Sequence, residues 1–151
     1  MQGDSIPSQA LVPGPWSQQF KAERKYKPTL SLEEARNLTV QVAMAAWRLA
    51  PDNRTDWSHE FEIDIGFVQR PDPKTGGQAI DAFDKLMTLV EEVIDFFCEV
   101  ANRPTDGGTS LIGVALGSGG DQPYIPDFIE TENQFTSLVK LTYRKIRDPS
   151  A

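Results

Sequence analysis

The feature of this chain that most constrains its fold is a long amphipathic segment at residues 79–100. Its apolar side chains recur at alternating steps of three and four residues and form a stripe: Ile80, Phe83, Met87, Val90, Ile94 and Phe97. Three more apolar side chains widen this stripe on one side: Leu86, Val93 and Val100. Its polar side chains fill the opposite side: Asp81, Asp84, Lys85, Thr88, Glu91, Glu92, Asp95 and Glu99. This spacing predicts an α-helix with one buried face. The rest of the chain must therefore supply a surface that covers that face.

The composition is typical of a single soluble domain, with 39% hydrophobic and 25% charged residues in a chain of 151. The net charge of −7 argues against an extended nucleic-acid footprint, which needs clustered Lys and Arg. No apolar run approaches the ~20 residues that span a bilayer, and the first residues do not have the pattern of a signal peptide. The single Cys98 excludes an intrachain disulfide and fits a reducing compartment.

The first 29 residues are rich in Pro, Gly, Ser and Gln and predict an irregular arm. Since residues 1–19 offer little apolar surface, we expect the domain to fold without them. The stretch at 20–27 (FKAERKYK) combines five charges with two aromatic rings. One interpretation is a solvated lead-in whose Phe20 and Tyr26 pack onto the domain. The other is a basic, aromatic tether to a neighbouring subunit, in which Arg24 would take part.

Four further segments predict β-strands around the helix. Residues 57–70 alternate strictly, with Trp57, His59, Phe61, Ile63, Ile65 and Phe67 on the side expected to be buried. Residues 111–116 are a short apolar strand, and 134–144 alternate again. Residues 38–47 begin like a strand, although their Ala-rich second half suits a helix equally well, and we expect a strand. The order predicts an α+β domain over residues 30–147, followed by a short tail at 148–151. In it, the helix packs across one face of an antiparallel sheet of about four strands.

Complementary charges predict which of these strands are neighbours. The solvent face of segment 57–70 carries Glu60, Glu62 and Asp64, and the last strand carries Lys140 and Arg144. Opposite charges on facing strands stabilise a pair by ~0.2–1 kcal/mol. We therefore expect these two strands to lie side by side. If they are adjacent but their charges are not coupled, the expectation is instead that the acidic face lines a lumen.

The sequence contains no catalytic constellation. The only histidine, His59, falls on the expected buried face of its strand and is interpreted as a core residue rather than a base or a ligand. Acidic neighbours disfavour a reactive thiolate at Cys98. The glycines at 117–120 are not followed by the Gly-Lys-Ser/Thr of a phosphate-binding loop. We therefore expect no enzyme activity, no metal and no cofactor.

Taken in order, several stretches resemble phage and prophage proteins of the tail terminator type, also called tail completion or head–tail joining proteins. The matching stretches span most of residues 16–146: WSQQFKAERKYKP, NLTVQV, FEIDIGFVQRP, AIDAFDKLMTLVEEVIDFF and QFTSLVKLTYRKI. The resemblance implies a virion protein, assembled in the host cytoplasm, that forms a six-fold ring at the head-proximal end of the tail tube. Its implied partners are further copies of itself, the tail tube protein and a neck or head-completion protein. DNA would pass through the ring without specific binding.

Two long loops, at 71–78 and 117–132, are expected to contact such partners. The candidate contact residues are Phe20, Arg24, Tyr26, Tyr124, Ile125 and Phe128. Two other classes of function stay open. One is an acidic binding module, such as an immunity or DNA-mimic protein that occupies a basic partner, and the net charge supports it. The other is a small metal-dependent hydrolase that uses acidic side chains.

Overall fold

A computed structural model describes residues 12–14, 16–25, 37–51, 53–70, 78–104, 108–116 and 134–147. These residues form one mixed sheet of five strands and one long α-helix: β1 (Ala22–Arg24), β2 (Thr39–Pro51), β3 (Trp57–Gln69), α1 (Gln78–Cys98), β4 (Thr109–Leu116) and β5 (Phe135–Arg147). The strand order is β1-β2-β3-β5-β4. Strand β1 runs parallel to β2, whereas the other neighbours are antiparallel. The α+β class is confirmed. The expectation of about four strands, all antiparallel, is corrected to five described strands with one parallel pair.

Helix α1 agrees with the amphipathic pattern of the sequence. It begins at Gln78 and ends at Cys98, two residues short of the predicted end, and a short 3₁₀ turn, Val100–Asn102, follows it. The side chains that it buries against the sheet are Leu86, Leu89, Val90 and Val93. Ile80 is 66% exposed, because it lies in the first turn of the helix, at the margin of the covered area.

The segment that suited strand and helix equally well is a strand. Strand β2 pairs with β3 along its whole length, from Thr39 opposite Val68 to Pro51 opposite Trp57. The hydrogen bonds of this long antiparallel ladder override the helix preference of its alanines. The register shifts once, between Met44 and Ala46, where β2 carries a bulge.

The described part of the N-terminal segment, residues 12–14 and 16–25, packs on the domain. Phe20 is a core residue at 6% exposure, and β1 extends the sheet beside Val40–Val42. Trp16 packs against Phe20 and Phe96 with ring centroids 5.5 and 5.3 Å apart. The backbone N–H of Ser17 donates to a carboxylate oxygen of α1, Glu92 Oε2, at 2.9 Å. Residues 12–14 and 16–20 contain no helix or strand, in line with the predicted irregular structure, but they pack on the domain, and Ala22–Arg24 form a strand that was not predicted.

The core lies between α1 and one face of the sheet. Its buried members are Phe20, Val40, Ile65, Phe67, Leu86, Leu89, Val90, Val93, Phe135, Val139 and Leu141. They come from β2, β3 and β5, from the helix and from the N-terminal segment. The helix and the sheet meet directly where Phe83 stacks on Phe135, with ring centroids 5.8 Å apart. The core is therefore centred on the half of the sheet that contains Val40, Phe67 and Phe135.

Candidate interaction surfaces

The other half of the same sheet face is apolar and open to solvent. We call this the hairpin surface, and it is formed by six side chains of β2 and β3: Met44, Trp47, Leu49, Trp57, His59 and Phe61. Four of them are about half exposed or more: Met44 at 52%, Trp47 at 61%, Leu49 at 57% and Trp57 at 47%. Single exposed apolar residues are ordinary on protein surfaces, whereas a contiguous group marks a binding surface.

The centre of the hairpin surface is a group of three neighbouring rings with nearly parallel planes. Trp47 lies across from Phe61 in the β2–β3 ladder, and its ring centroid is 5.9 Å from that of Phe61 and 6.0 Å from that of His59. The three planes are nearly parallel, with interplanar angles of 15–23°. The indole N–H of Trp47 also donates to His59 Nδ1 at 3.3 Å. These contacts restrict the orientations that the three rings can adopt.

The turn at the end of the hairpin is ordered by the side chain of Asn53. Its Oδ1 accepts hydrogen bonds from the backbone N–H groups of Thr55 and Asp56, both at 2.8 Å, and its Nδ2 donates to Asp56 Oδ2 at 2.6 Å. This Asx-type turn leaves Arg54 exposed. Among the described residues, Arg54 has no hydrogen bond or ion pair. The hairpin surface therefore ends at an available cation.

The exposure of Trp57, and the half-burial of His59 and Phe61, correct the prediction that this end of β3 is buried. The reason is length. Strand β3 has 13 residues and extends about 43 Å, whereas the 21 residues of α1 extend only about 31 Å. Ile65 and Phe67 are covered, but the end at Trp57 is not. His59 is thus not a core residue, and its imidazole is instead partnered by Trp47.

The opposite face of the sheet carries alternating charges. Glu60 is paired with Arg144 in the β3–β5 register, and Asp64 with Lys140, so the predicted neighbour relation between these strands is confirmed. Five ion pairs join three carboxylates to three cations: Lys140–Glu62 at 2.8 Å, Lys140–Asp64 at 3.4 Å, Arg48–Glu62 at 3.4 Å, Arg144–Glu60 at 3.7 Å and Arg48–Glu60 at 3.9 Å. The acidic row of β3 is therefore matched by cations on both sides.

The shortest of these ion pairs changes the acidity of both partners. The hydrogen bond from Lys140 holds the pKa of Glu62 below its ordinary range, and the same bond raises the pKa of Lys140. Both groups are therefore charged near neutral pH. On the other face of β5, burial raises the pKa of the Tyr143 phenol.

The candidate contact residues from the sequence have different outcomes. Phe20 is buried in the core, so its packing onto the domain is confirmed and its role as a partner contact is wrong. Arg24 lies exposed in β1. Tyr26 lies outside the described residues, as do Tyr124, Ile125 and Phe128.

Sequence reasoning missed Met44, Trp47 and Leu49. The sequence does contain an indication of their position. Trp47 and Leu49 are out of phase with Val40 and Val42 in the two-residue alternation of a strand. Such a break in phase is typical of a bulge, and the bulge sets these side chains beside the aromatic residues of β3.

No group of three or more His, Cys, Asp or Glu residues within the described ranges is arranged to hold a metal ion. Cys98 is a free, exposed thiol. None of the helices in the described parts of the chain combines the length and apolarity that a bilayer crossing requires. In comparisons with known proteins, no family model matches the chain and no curated protein is similar to it.

Proposed function

We propose that this chain is a structural protein that assembles into a ring at the head-proximal end of a phage tail tube, where it ends tube growth and joins the tail to the head. The observation that carries the proposal is the hairpin surface, whose large side chains are covered by no part of the described chain. A surface of this kind is suited to protein contact. The resemblance of residues 16–146 to tail terminator proteins supplies the particular assembly.

Electrostatics supports the same role. The net charge of −7 repels a DNA backbone, and a channel that DNA must traverse benefits from walls that do not hold it. As a candidate lumen face, the row formed by Glu60, Glu62 and Asp64 is balanced by Arg48, Lys140 and Arg144, so the repulsion of DNA rests on the net charge of the whole chain. The cations beside it limit its attraction for a basic partner, and this makes an acidic binding module the weaker alternative.

Deletion of the gene from its phage tests the function. The expected result is filled heads without tails, together with free tubes of uncontrolled length, both visible by negative-stain electron microscopy. Complementation with the Trp47→Ser variant should fail, whereas the matched Ile80→Ser variant should restore tailed particles, because Ile80 is equally exposed but lies outside the hairpin surface. Tails of normal length that join heads in the absence of the gene would contradict the proposal.

A further inference from the structure

The C-terminal end of α1 has an unusual accumulation of negative charge. Asp95 and Glu99 lie one turn apart and are both exposed, and the last turn of the helix contains no basic residue. The carbonyl groups at a helix C-terminus already carry a negative partial charge, so acidic side chains there are unfavourable and an external cation is attracted. Beside them, Val100 is 76% exposed and Cys98 is also exposed. We call these four residues the helix end.

The hairpin surface has the complementary chemistry. It presents a larger apolar area, centred on Trp47, and its turn holds Arg54 where no described residue compensates its charge. An apolar surface bordered by a cation fits the exposed Val100 flanked by carboxylates, because burial of the apolar groups is combined with pairing of the charges.

We infer that the hairpin surface of one copy docks on the helix end of the next copy, with Arg54 placed against Asp95 and Glu99. The contact joins two different patches, so it is heterologous and can close into a ring, whereas a self-complementary contact would stop at a dimer. Pairing of two hairpin surfaces with each other would leave Arg54 and the helix end without opposite charges. This inference rests on the proposed ring function and names the two surfaces that meet in it.

Truncation of the apolar anchor is the first test. Trp47→Ser should weaken self-association of the full-length protein at least tenfold in sedimentation velocity, since buried tryptophans dominate interface energies. Ile80→Ser should leave association unchanged. Circular dichroism and the melting temperature of each variant show that the fold is retained. A full-length protein that stays monomeric up to millimolar concentration, or one whose association ignores Trp47→Ser, would overturn the inference.

Charge reversal is the second and sharper test. Arg54→Glu alone, or Asp95→Lys with Glu99→Lys, should weaken association several-fold. Asp95→Lys places a cation in the last turn of α1, where it is favourable. Glu99 follows the helix and accepts a hydrogen bond from Asn102 Nδ2 at 3.2 Å. Because Glu99→Lys removes that bond, the melting temperature of the double variant is measured to show that the fold is retained. The control is Asp84→Lys, which changes an exposed acid on α1 away from the helix end and should have no effect on association.

Mixing the two reversed variants should restore association, because each hairpin surface then finds an oppositely charged helix end in an alternating ring. The triple variant in one chain should associate like the unaltered protein. Failure of both rescues, or the formation of a dimer alone, would overturn this pairing of surfaces. Rings that form in every variant would also overturn this pairing of surfaces, but they would leave the proposed function intact. Rescue in solution combined with normal tails after gene deletion would instead support the pairing and reject the function.

Discussion

The ammonium group of Lys140 lies closer to Glu62 than to the carboxylate directly across from it. Its Nζ is 2.8 Å from Glu62 Oε1 and 3.4 Å from Asp64 Oδ1, although Asp64 is its partner in the strand register. The strongest cross-strand contact is therefore diagonal. Asp64 Oδ1 is buried and has no hydrogen bond among the described residues, so its interaction with Lys140 is an ion pair without hydrogen-bond geometry.

A double-mutant cycle with Glu62→Gln and Lys140→Met should give a favourable coupling of about 0.5–1 kcal/mol in the free energy of unfolding, because both groups are partly shielded from water. Glu60 and Arg144 provide the control. They are 3.7 Å apart and more exposed, so their coupling in urea denaturation should be smaller. Equal coupling in the two cycles would contradict the diagonal pair as the dominant contact.

The same ion pair predicts a pH dependence of stability at both extremes. The pKa of Glu62 is lowered on folding, so its contribution is present above the ordinary glutamate pKa of about 4.3 and is lost as the pH falls through the lowered pKa. The pKa of Lys140 is raised, so its contribution is present below about pH 10.4 and is lost as the pH rises through the raised pKa.

The stability difference between the unaltered protein and Glu62→Gln should accordingly be largest near neutral pH and shrink at both ends. Tyr143 adds to the alkaline loss in both proteins, since burial favours its neutral phenol, and the comparison removes that contribution. Urea denaturation at a series of pH values measures the difference. A difference that does not vary with pH would show that the pair is not coupled in solution.

The N-terminal segment should stabilise the domain, contrary to the expectation from its composition. Trp16→Ala, or deletion of residues 1–19, should lower the free energy of unfolding by about 2–4 kcal/mol, because either change removes the ring packed on Phe20 and Phe96. Trp16→Phe should cost clearly less, since it keeps an aromatic ring and removes a buried indole N–H that has no hydrogen-bond partner among the described residues. An unchanged melting temperature after the deletion would restore the interpretation of a separate arm.

Helix α1 should be sensitive to truncation only on its covered face. Leu89 is completely buried, and Leu89→Ala should cost about 2–5 kcal/mol of unfolding free energy. Ile80→Ala should stay within about 0.5 kcal/mol, because its side chain is already in water. Thermal unfolding followed by circular dichroism measures both. Similar losses at the two positions would mean that the first turn of the helix is covered as well.

Periodicity predicted those parts of the fold in which a pattern persists over many residues. The buried stripe of α1 and the adjacency of β3 and β5 could both be predicted from the sequence. The first depends on residue spacing within one helix, and the second depends on complementary charges on one pair of strands. Strand β1 could not be predicted, since its three residues, Ala22–Arg24, are too few to show a period. Its position comes from the pairing with Val40–Val42, which is a tertiary contact.

The hairpin surface could be predicted only in part from the sequence. The alternation of β3 is the same at Trp57 and at Phe67, but it does not encode where the covering helix ends. Burial at one end and exposure at the other are decided by the relative lengths and placement of two elements that are distant in sequence. An alternating pattern therefore predicted one continuous face and could not divide it into core and contact surface.

The bulge in β2 separates these two halves. If β2 kept its full sequence but paired with β3 without the bulge, so that Ala45 lay opposite Glu62, the side chains beyond it would change sides, because strand neighbours point in opposite directions. Trp47 would then lie among the carboxylates, and Arg48 would lie among the aromatic rings. Val40 and Val42, which precede the bulge, would keep their places in the interior. A one-residue shift of this pairing would thus exchange the side chains that the hairpin presents to solvent while leaving the interior as it is, a short route by which related chains could acquire different contact surfaces.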